Sequence, residues 1–241
     1  MKRIVRYSLI TVLLVSISTA LGITLSPTFR TSMINLWFDL GMYASYSEED
    51  IHKYSQWSYL SQAEFSEIVR DGVSKLNKPL TSNSRIFELG VGVGAALKVI
   101  EEDYPNIDFG GSDFSENAIN FAKEVFPEAA NKFFVHDMTR LHEEIPDNTF
   151  DCVLSFGALA MYLTESQMID AITEALRMTK PGGSILLTHF IEPGAQPRRS
   201  IVTPVEKSYW MTALPKLGGK DIYIYPMLHQ GDRYQVSFSK R

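Results

Sequence analysis

Residues Arg85 to Leu97 read RIFELGVGVGAAL. Ile86, Phe87 and Leu89 have the character of a buried strand. Gly90, Gly92 and Gly94 follow at alternate positions, and from Ala95 the run AALKVIEEDY takes helical spacing. A strand that turns through glycines into a helix lets backbone N–H groups approach a ligand closely, and the helix N-terminus adds a field that favours negative charge. Plain βα connections use glycines too, so Glu88 decides the reading. It stands two residues before the first glycine, at the carboxyl end of a strand expected to be buried, where a charge is costly unless it meets a partner. Glu88 therefore reads as a ligand-facing residue.

Downstream of this stretch, strands and helices alternate. The first strand ends at Glu88 and a helix runs from about Ala95 to Asp103. Ile107 to Ser112 forms a second strand that ends in Asp113, and Glu116 to Val125 is a helix capped by Ser115. Lys132 to Val135 is a short third strand leading into His136-Asp137-Met138. Phe150 to Phe156 is a continuous apolar run of the kind buried on both faces. Thr164-Glu165-Ser166-Gln167 opens a helix through about Met178, and Pro181-Gly182-Gly183 turns into a fifth strand, Ser184 to His189. Such alternation implies a mostly parallel sheet with helices on both faces. The tail changes rhythm: Val205 to Leu214 is helical, and Asp221 to Met227 and Tyr234 to Ser239 are strands joined by a connection short enough for an antiparallel hairpin.

Upstream, Ser61-Gln62-Ala63-Glu64 opens a helix through about Leu76, preceded by another that starts at Ser47-Glu48-Glu49-Asp50. Residues 33 to 46 are apolar and aromatic but too short to span a bilayer. At the start of the chain, Lys2, Arg3 and Arg6 precede an uncharged run from Tyr7 to Phe29, the arrangement of a signal peptide or a membrane anchor. The division expected is residues 1–29 as signal or anchor, 30–84 as helical cap and linker, and 85–241 as the ligand-binding domain. Membrane association is expected through residues 4–25, with a membrane-associated, secretory-pathway or organelle-targeted location; basic residues on the short side favour translocation of the rest, while the absence of any Asn-x-Ser/Thr site disfavours a glycosylating compartment.

Composition narrows the partners. The net charge of −5 becomes about −8 once residues 1–26 are set aside, and no basic run remains, so nucleic acid is an unsuitable partner. Cys152 is the only cysteine, which excludes an internal disulfide and a Cys-rich metal site; its setting, FDCVLSF, makes it a small core residue.

From Arg85 to Arg241 the chain resembles the class I S-adenosylmethionine-dependent methyltransferases. Five motifs carry the resemblance in order: Glu88 with Gly90, Gly92 and Gly94; Asp113 in GGSDFS; Asp137 in VHDMTRL; Phe150-Asp151; and Lys180 to Gly183 before the fifth strand. The resemblance implies a Rossmann-like seven-stranded sheet with helices on both faces, the last strand antiparallel, and an N-terminal helical cap. It also implies S-adenosyl-L-methionine as cofactor and a small-molecule methyl acceptor. In that setting the glycines admit the methionine and ribose portion. Asp113 accepts hydrogen bonds from the ribose hydroxyls outside the strand ends. Phe114 and Met138 flank the adenine, Asp137 accepts from its exocyclic amine, and Glu88 faces the ammonium group.

Methyl transfer from a sulfonium needs alignment above all, and a general base only where the acceptor must lose a proton. Candidates for that base are His189 at the fifth strand's end and Tyr162 after the fourth strand, with His136 and His142 less well placed. Tyr43, Tyr46, Tyr54, Trp57 and Tyr59 either line an acceptor pocket or pack the cap. After the fourth strand the chain reads SFGALAMYL. It lacks the Asn/Asp-Pro-Pro-Tyr/Phe motif of many amino-group methylases, and it has Ala160-Met161 where the quinone and sterol branches commonly carry a His pair, which points away from those acceptors. Three other readings share some of these residues. Gly90, Gly92 and Ala95 also fit the G-x-G-x-x-G/A spacing of a nicotinamide-dependent oxidoreductase, with Asp113 as its ribose acid, against which stand Glu88, Asp137 and the late Pro-Gly-Gly turn. A binding or assembly protein could keep the fold without turnover, and transfer of another group, such as aminopropyl, stays open.

Overall fold

The computed structural model describes residues 60–195 and 203–241. The expected signal or anchor at residues 1–29, and everything expected of the cap before residue 60, lie outside the described residues. Among the described residues no helix is long and apolar enough to cross a membrane.

The first helix, α1 (Gln62–Ser74), begins at a capping box. The Glu64 N–H donates to Ser61 Oγ at 3.2 Å and the Ser61 N–H donates back to Glu64 Oε2 at 2.9 Å. β1 (Arg85–Leu89), α2 (Ala95–Asp103), β2 (Asp108–Asp113), α3 (Glu116–Val125) and β3 (Phe133–Val135) then follow the expected alternation. β4 (Phe150–Ser155) leads into a short helix, α4 (Ala158–Tyr162), and then α5 (Glu165–Met178), which opens on a second capping box between Thr164 and Gln167. The chain continues through β5 (Thr179–Ile191), α6 (Lys207–Leu217), β6 (Gly219–Pro226) and β7 (Arg233–Lys240).

The seven strands form one sheet in the order β3-β2-β1-β4-β5-β7-β6. Strands β1 to β5 are parallel, β7 runs antiparallel to β5, and β6 pairs antiparallel to β7. β7 is therefore the one reversed strand, and it lies inside the sheet between β5 and β6. Alternation along the strands sends side chains to opposite faces. Ile86, Leu154 and Leu186 join Phe65, Ile68, Leu97 and Ile119 of α1, α2 and α3 in one core. Phe87, Val153, Ile185 and Leu187 join Leu159, Ile172 and Trp210 of α4, α5 and α6 in the other. Burying each such side chain contributes roughly 1.5–3 kcal/mol, so these two apolar layers hold the sheet. Cys152 is buried in the first, and burial pushes its thiol upward, as expected of a core residue.

The chain departs from the sequence reading in several places. α4 was not expected: five apolar residues after Gly157 are too short to show a helical period. β5 starts five residues early, because Thr179 already pairs with Phe150 and the ladder resumes at Ser184 opposite Cys152. The Lys180-to-Gly183 segment is thus an excursion within the strand, not a turn before it. The tail helix lies two to three residues later than Val205 to Leu214, ending at Gly218 with φ of 99°. The hairpin strands begin at Gly219 and Arg233, slightly earlier than their apolar runs suggest.

Candidate functional site

The carboxyl ends of the parallel strands place the candidate residues along one edge of the sheet. Glu88 is level with Gly111 on one side and with Leu154 on the other, and Leu154 with Leu186. Beyond that level the chain leaves β1 through Gly90, Gly92 and Gly94, leaves β2 at Asp113, leaves β4 at Gly157 and continues along β5 to His189.

Gly90, with φ of 73°, folds back so that its N–H donates to the Ser112 carbonyl at 2.8 Å. A Cβ here would lie 2.2 Å from the Ala158 Cβ and 2.9 Å from the Met138 Cε. The glycine thus lets three segments converge: the β1–α2 turn, the start of α4 and the loop after β3. Gly94, with φ of 83°, caps α2 without a side chain, and the Phe126 ring occupies the place its Cβ would take. Close internal packing therefore accounts for these two glycines directly. Both α2 and α4 start from a left-handed glycine with no side-chain cap, whereas α1, α3 and α5 have Ser or Thr caps. The uncapped pair opens beside the same edge, and the first N–H groups of α2 keep their capacity to meet a ligand.

Asp113, 5% exposed, fixes the glycine turn: its Oδ2 accepts from the Gly92 N–H at 2.9 Å and its Oδ1 from the Ser115 N–H at 3.0 Å. Glu88 is 2% exposed, and its Oε2 has no hydrogen-bond partner among the described residues. Burial pushes its carboxyl well above the usual carboxylate range. The Phe156 N–H works against that shift, and the nearby Asp113 charge reinforces it. Ser112 Oγ and Ser155 Oγ, at the ends of the two flanking strands, are likewise buried without a partner among the described residues. Buried polar atoms left this way are rare and call for a ligand or water. Their chemistry suits the expected cofactor: an ammonium group beside Glu88 would restore its charged form.

Met138, buried, contributes its methyl end to the convergence at Gly90. Asp137 next to it is half exposed; its Oδ1 accepts from the Thr139 N–H and hydroxyl at 3.0 and 2.8 Å, and Arg140 lies 3.5 Å from Oδ2. Phe114 is half-buried directly after Asp113. The structure thus brings Glu88, Gly90, Gly92, Gly94, Asp113 and Met138 together, with Phe114 and Asp137 adjoining.

The two candidate bases sit differently. His189 is buried in an irregular stretch of β5, with φ of 74°, and the β5–β7 ladder shifts register there. Its Nδ1 lies 2.8 Å from Thr188 Oγ, and its N–H donates to Met227 Sδ at 3.2 Å. Burial, with the positive charge of Arg233, holds the imidazole well below its usual value and so neutral. Tyr162 ends α4, half-buried against Met161 and Ile191. His136 and His142 pack their rings together at a tilt of 37°, with centroids 4.2 Å apart, on the loop that carries Asp137. Sequence reasoning missed Ala158, although the strand–Gly–helix pattern of Ser155 to Ala158 repeats the logic of the first motif. It also missed the buried Glu174 and Arg177, whose partners are distant in sequence.

A family model described as "Methyltransferase domain" matches residues 86–183. A ubiquinone/menaquinone biosynthesis C-methyltransferase of Desulfotalea psychrophila is 28% identical over 134 residues, covering 56% of this chain and 51% of that protein. A phosphoethanolamine N-methyltransferase of Arabidopsis thaliana is 26% identical over 130 residues, covering 53% of this chain and 25% of the relative. The chain thus spans about half the length of the first relative and a quarter of the second. The first belongs to the quinone branch, from which Ala160-Met161 departs. A SAM-dependent methyltransferase from Archaeoglobus fulgidus shares the fold, with a TM-score of 0.59, 15% identity and coverage of 80% of this chain and 100% of that one. The motifs, the sheet order with its reversed strand, and these matches agree: residues 86–183 carry a methyltransferase domain, set in the fold of the class I S-adenosylmethionine-dependent methyltransferases.

Proposed function

We propose that the protein transfers a methyl group from S-adenosylmethionine to an O, N or S nucleophile of a small-molecule acceptor. The observation that carries this reading is the buried Glu88 carboxylate, one oxygen without a partner, beside an Asp113 that already holds the glycine turn in place. When bound, the cofactor supplies a methyl group activated by a sulfonium and open to in-line displacement. The chain's residues then have separate tasks. Glu88 holds the ammonium end and Asp113 the ribose, which fixes the sulfonium between them. Phe114 and Met138 enclose the adenine and exclude water from its faces, and Asp137 accepts from the exocyclic amine. Gly90, Gly92 and Gly94 keep the backbone close enough for these contacts to coexist.

For an acceptor that must lose a proton, His189, towards the carboxyl end of β5, is assigned as general base; burial keeps its imidazole in the neutral, proton-accepting form while making the imidazolium costly. Tyr162 lines the acceptor side at the end of α4. The uncharged run Tyr7 to Phe29 supports an acceptor near a membrane.

Calorimetric titration of the whole chain with S-adenosylmethionine, S-adenosylhomocysteine and NADH tests the reading. Micromolar binding of both sulfur ligands and none of NADH is expected, followed by acceptor screening through homocysteine release. Binding of NADH alone would overturn it in favour of the oxidoreductase reading, and sulfur-ligand binding without any methyl release across the screen would favour an assembly role.

A further inference from the structure

The loop from residue 136 to residue 149 joins β3 to β4 and carries Asp137 and Met138. It is held to the second face of the sheet by one ion pair on α5. Arg177 reaches Glu174 through two parallel hydrogen bonds, Nε to Oε2 and Nη2 to Oε1, both 2.7 Å. Its Nη1 donates to the Ile145 carbonyl at 2.8 Å and to Asp147 Oδ1 at 2.7 Å, and its Nη2 to the His142 carbonyl at 3.2 Å. Glu174, 5% exposed, accepts in turn from the His142 N–H at 2.9 Å. The pair thus grips both the N–H and the C=O of His142. A fork of this kind fixes geometry as well as supplying energy.

From His142 the contact passes towards the cofactor end. Its ring packs at a tilt against His136 and meets Phe134 edge-on at 4.7 Å. His136 donates its N–H to the Asp113 carbonyl at 2.8 Å, and its ring nitrogen pairs with the Arg140 carbonyl at 3.1 Å. The next residues are Asp137 and Met138. We propose that Glu174 and Arg177 are positioning residues for the purine end of the cofactor: through the His142–His136 ring contact they hold Asp137 where it distinguishes an amine from a carbonyl on the purine ring. This rests on the assignment of Asp137 to adenine made above.

The test compares S-adenosylhomocysteine with S-inosylhomocysteine, which carries a carbonyl in place of the amine, by calorimetry on the full chain. Because the Asp137 carboxylate would lose its donor and face a carbonyl oxygen instead, the unmodified protein is expected to prefer the adenosyl ligand by about tenfold. Arg177→Met should weaken adenosyl binding about tenfold and reduce the preference to within roughly threefold. Arg177→Lys should restore part of it, and Asp147→Asn, at the exposed end of the same network, should change neither quantity. Glu174→Gln, which keeps an oxygen for the His142 N–H but loses the charge, serves where Arg177→Met fails to fold by circular dichroism; its preference should also fall. Equal weakening of both ligands with the ratio intact would reduce the pair to a structural role and overturn the inference. An unmodified protein that binds both ligands equally would instead overturn the Asp137 assignment, and one that binds neither would overturn the cofactor reading.

Discussion

At the amino ends of β1 and β2, Arg85 and Lys132 close on Asp108 at 2.8 and 2.6 Å, and beside them Lys180 meets Asp151 at 2.9 Å. At the carboxyl ends of the same two strands, Glu88 and Asp113 are buried, and their described hydrogen-bond partners are backbone N–H groups. The contrast appears in protonation. Burial works to raise Asp108 and Asp151, yet Lys132, Arg85 and Lys180 together with the Arg85 N–H outweigh it and hold both carboxyls below their usual values. At Glu88 burial wins. One end of the sheet has settled its charges; the other keeps a carboxylate whose ionised form waits for a cation.

The largest effect expected from disturbing that contrast is at Asp113. Asp113→Ala removes two charge-assisted acceptors, and S-adenosylhomocysteine affinity should fall by about 3–5 kcal/mol, read by calorimetry. Near-normal binding would remove the ribose assignment. Gly90→Ala comes next. A side chain there combines a left-handed backbone with overlap against Ala158, and chemical denaturation should show a loss of about 2–3 kcal/mol before any ligand is added.

Glu88→Gln separates the two ends by sign. Because the folded carboxyl titrates above its unfolded value, the folded state binds more protons through that interval, and stability falls as pH rises across it. The amide removes this cost, so the variant should melt higher than the parent at pH 8, with the gap narrowing towards pH 5, while binding the ammonium-bearing ligand roughly tenfold more weakly. Equal melting at both pH values would mean that Glu88 is not raised by burial. At the amino end the sign is opposite: the depressed Asp108 and Asp151 contribute stability that is present above the unfolded carboxylate value and lost as pH falls through their folded values. Lys132→Met should matter least, changing stability by under about 1 kcal/mol because its pair is half exposed, and leaving ligand affinity unaltered.

The acids at the strand ends were legible in the sequence because each is a charge at or next to the last residue of a strand expected to be buried. Glu88 follows Ile86-Phe87, and Asp113 follows Gly110-Gly111-Ser112. The caps at Ser61, Ser115 and Thr164 were legible for the same local reason, since a cap oxygen and the backbone N–H that donates to it lie within three residues. What escaped depends on distance along the chain. Arg177 meets Asp147 and His142 across 30 and 35 residues, and no local pattern marks that convergence. The early start of β5 escaped because Thr179 pairs with Phe150 across a segment whose Pro-Gly-Gly composition reads as a turn. His189 was found by its place at a strand's end, but its left-handed φ and its approach to Met227 arise from the irregular β5–β7 seam.

The reversed β7 also has a kinetic consequence. Strands β1 to β5 and their helices come earlier in the chain and can assemble through connections of moderate length. β5 then presents an open edge until β7 arrives, after α6 and β6 have been made. An uncovered edge of buried apolar residues is a template for pairing with other chains. Insertion of β7 between β5 and β6 should therefore be a late step in folding, and slowing it, for example by lengthening the 227–232 connection, should lower the soluble yield more than it lowers the melting temperature of the protein that does fold.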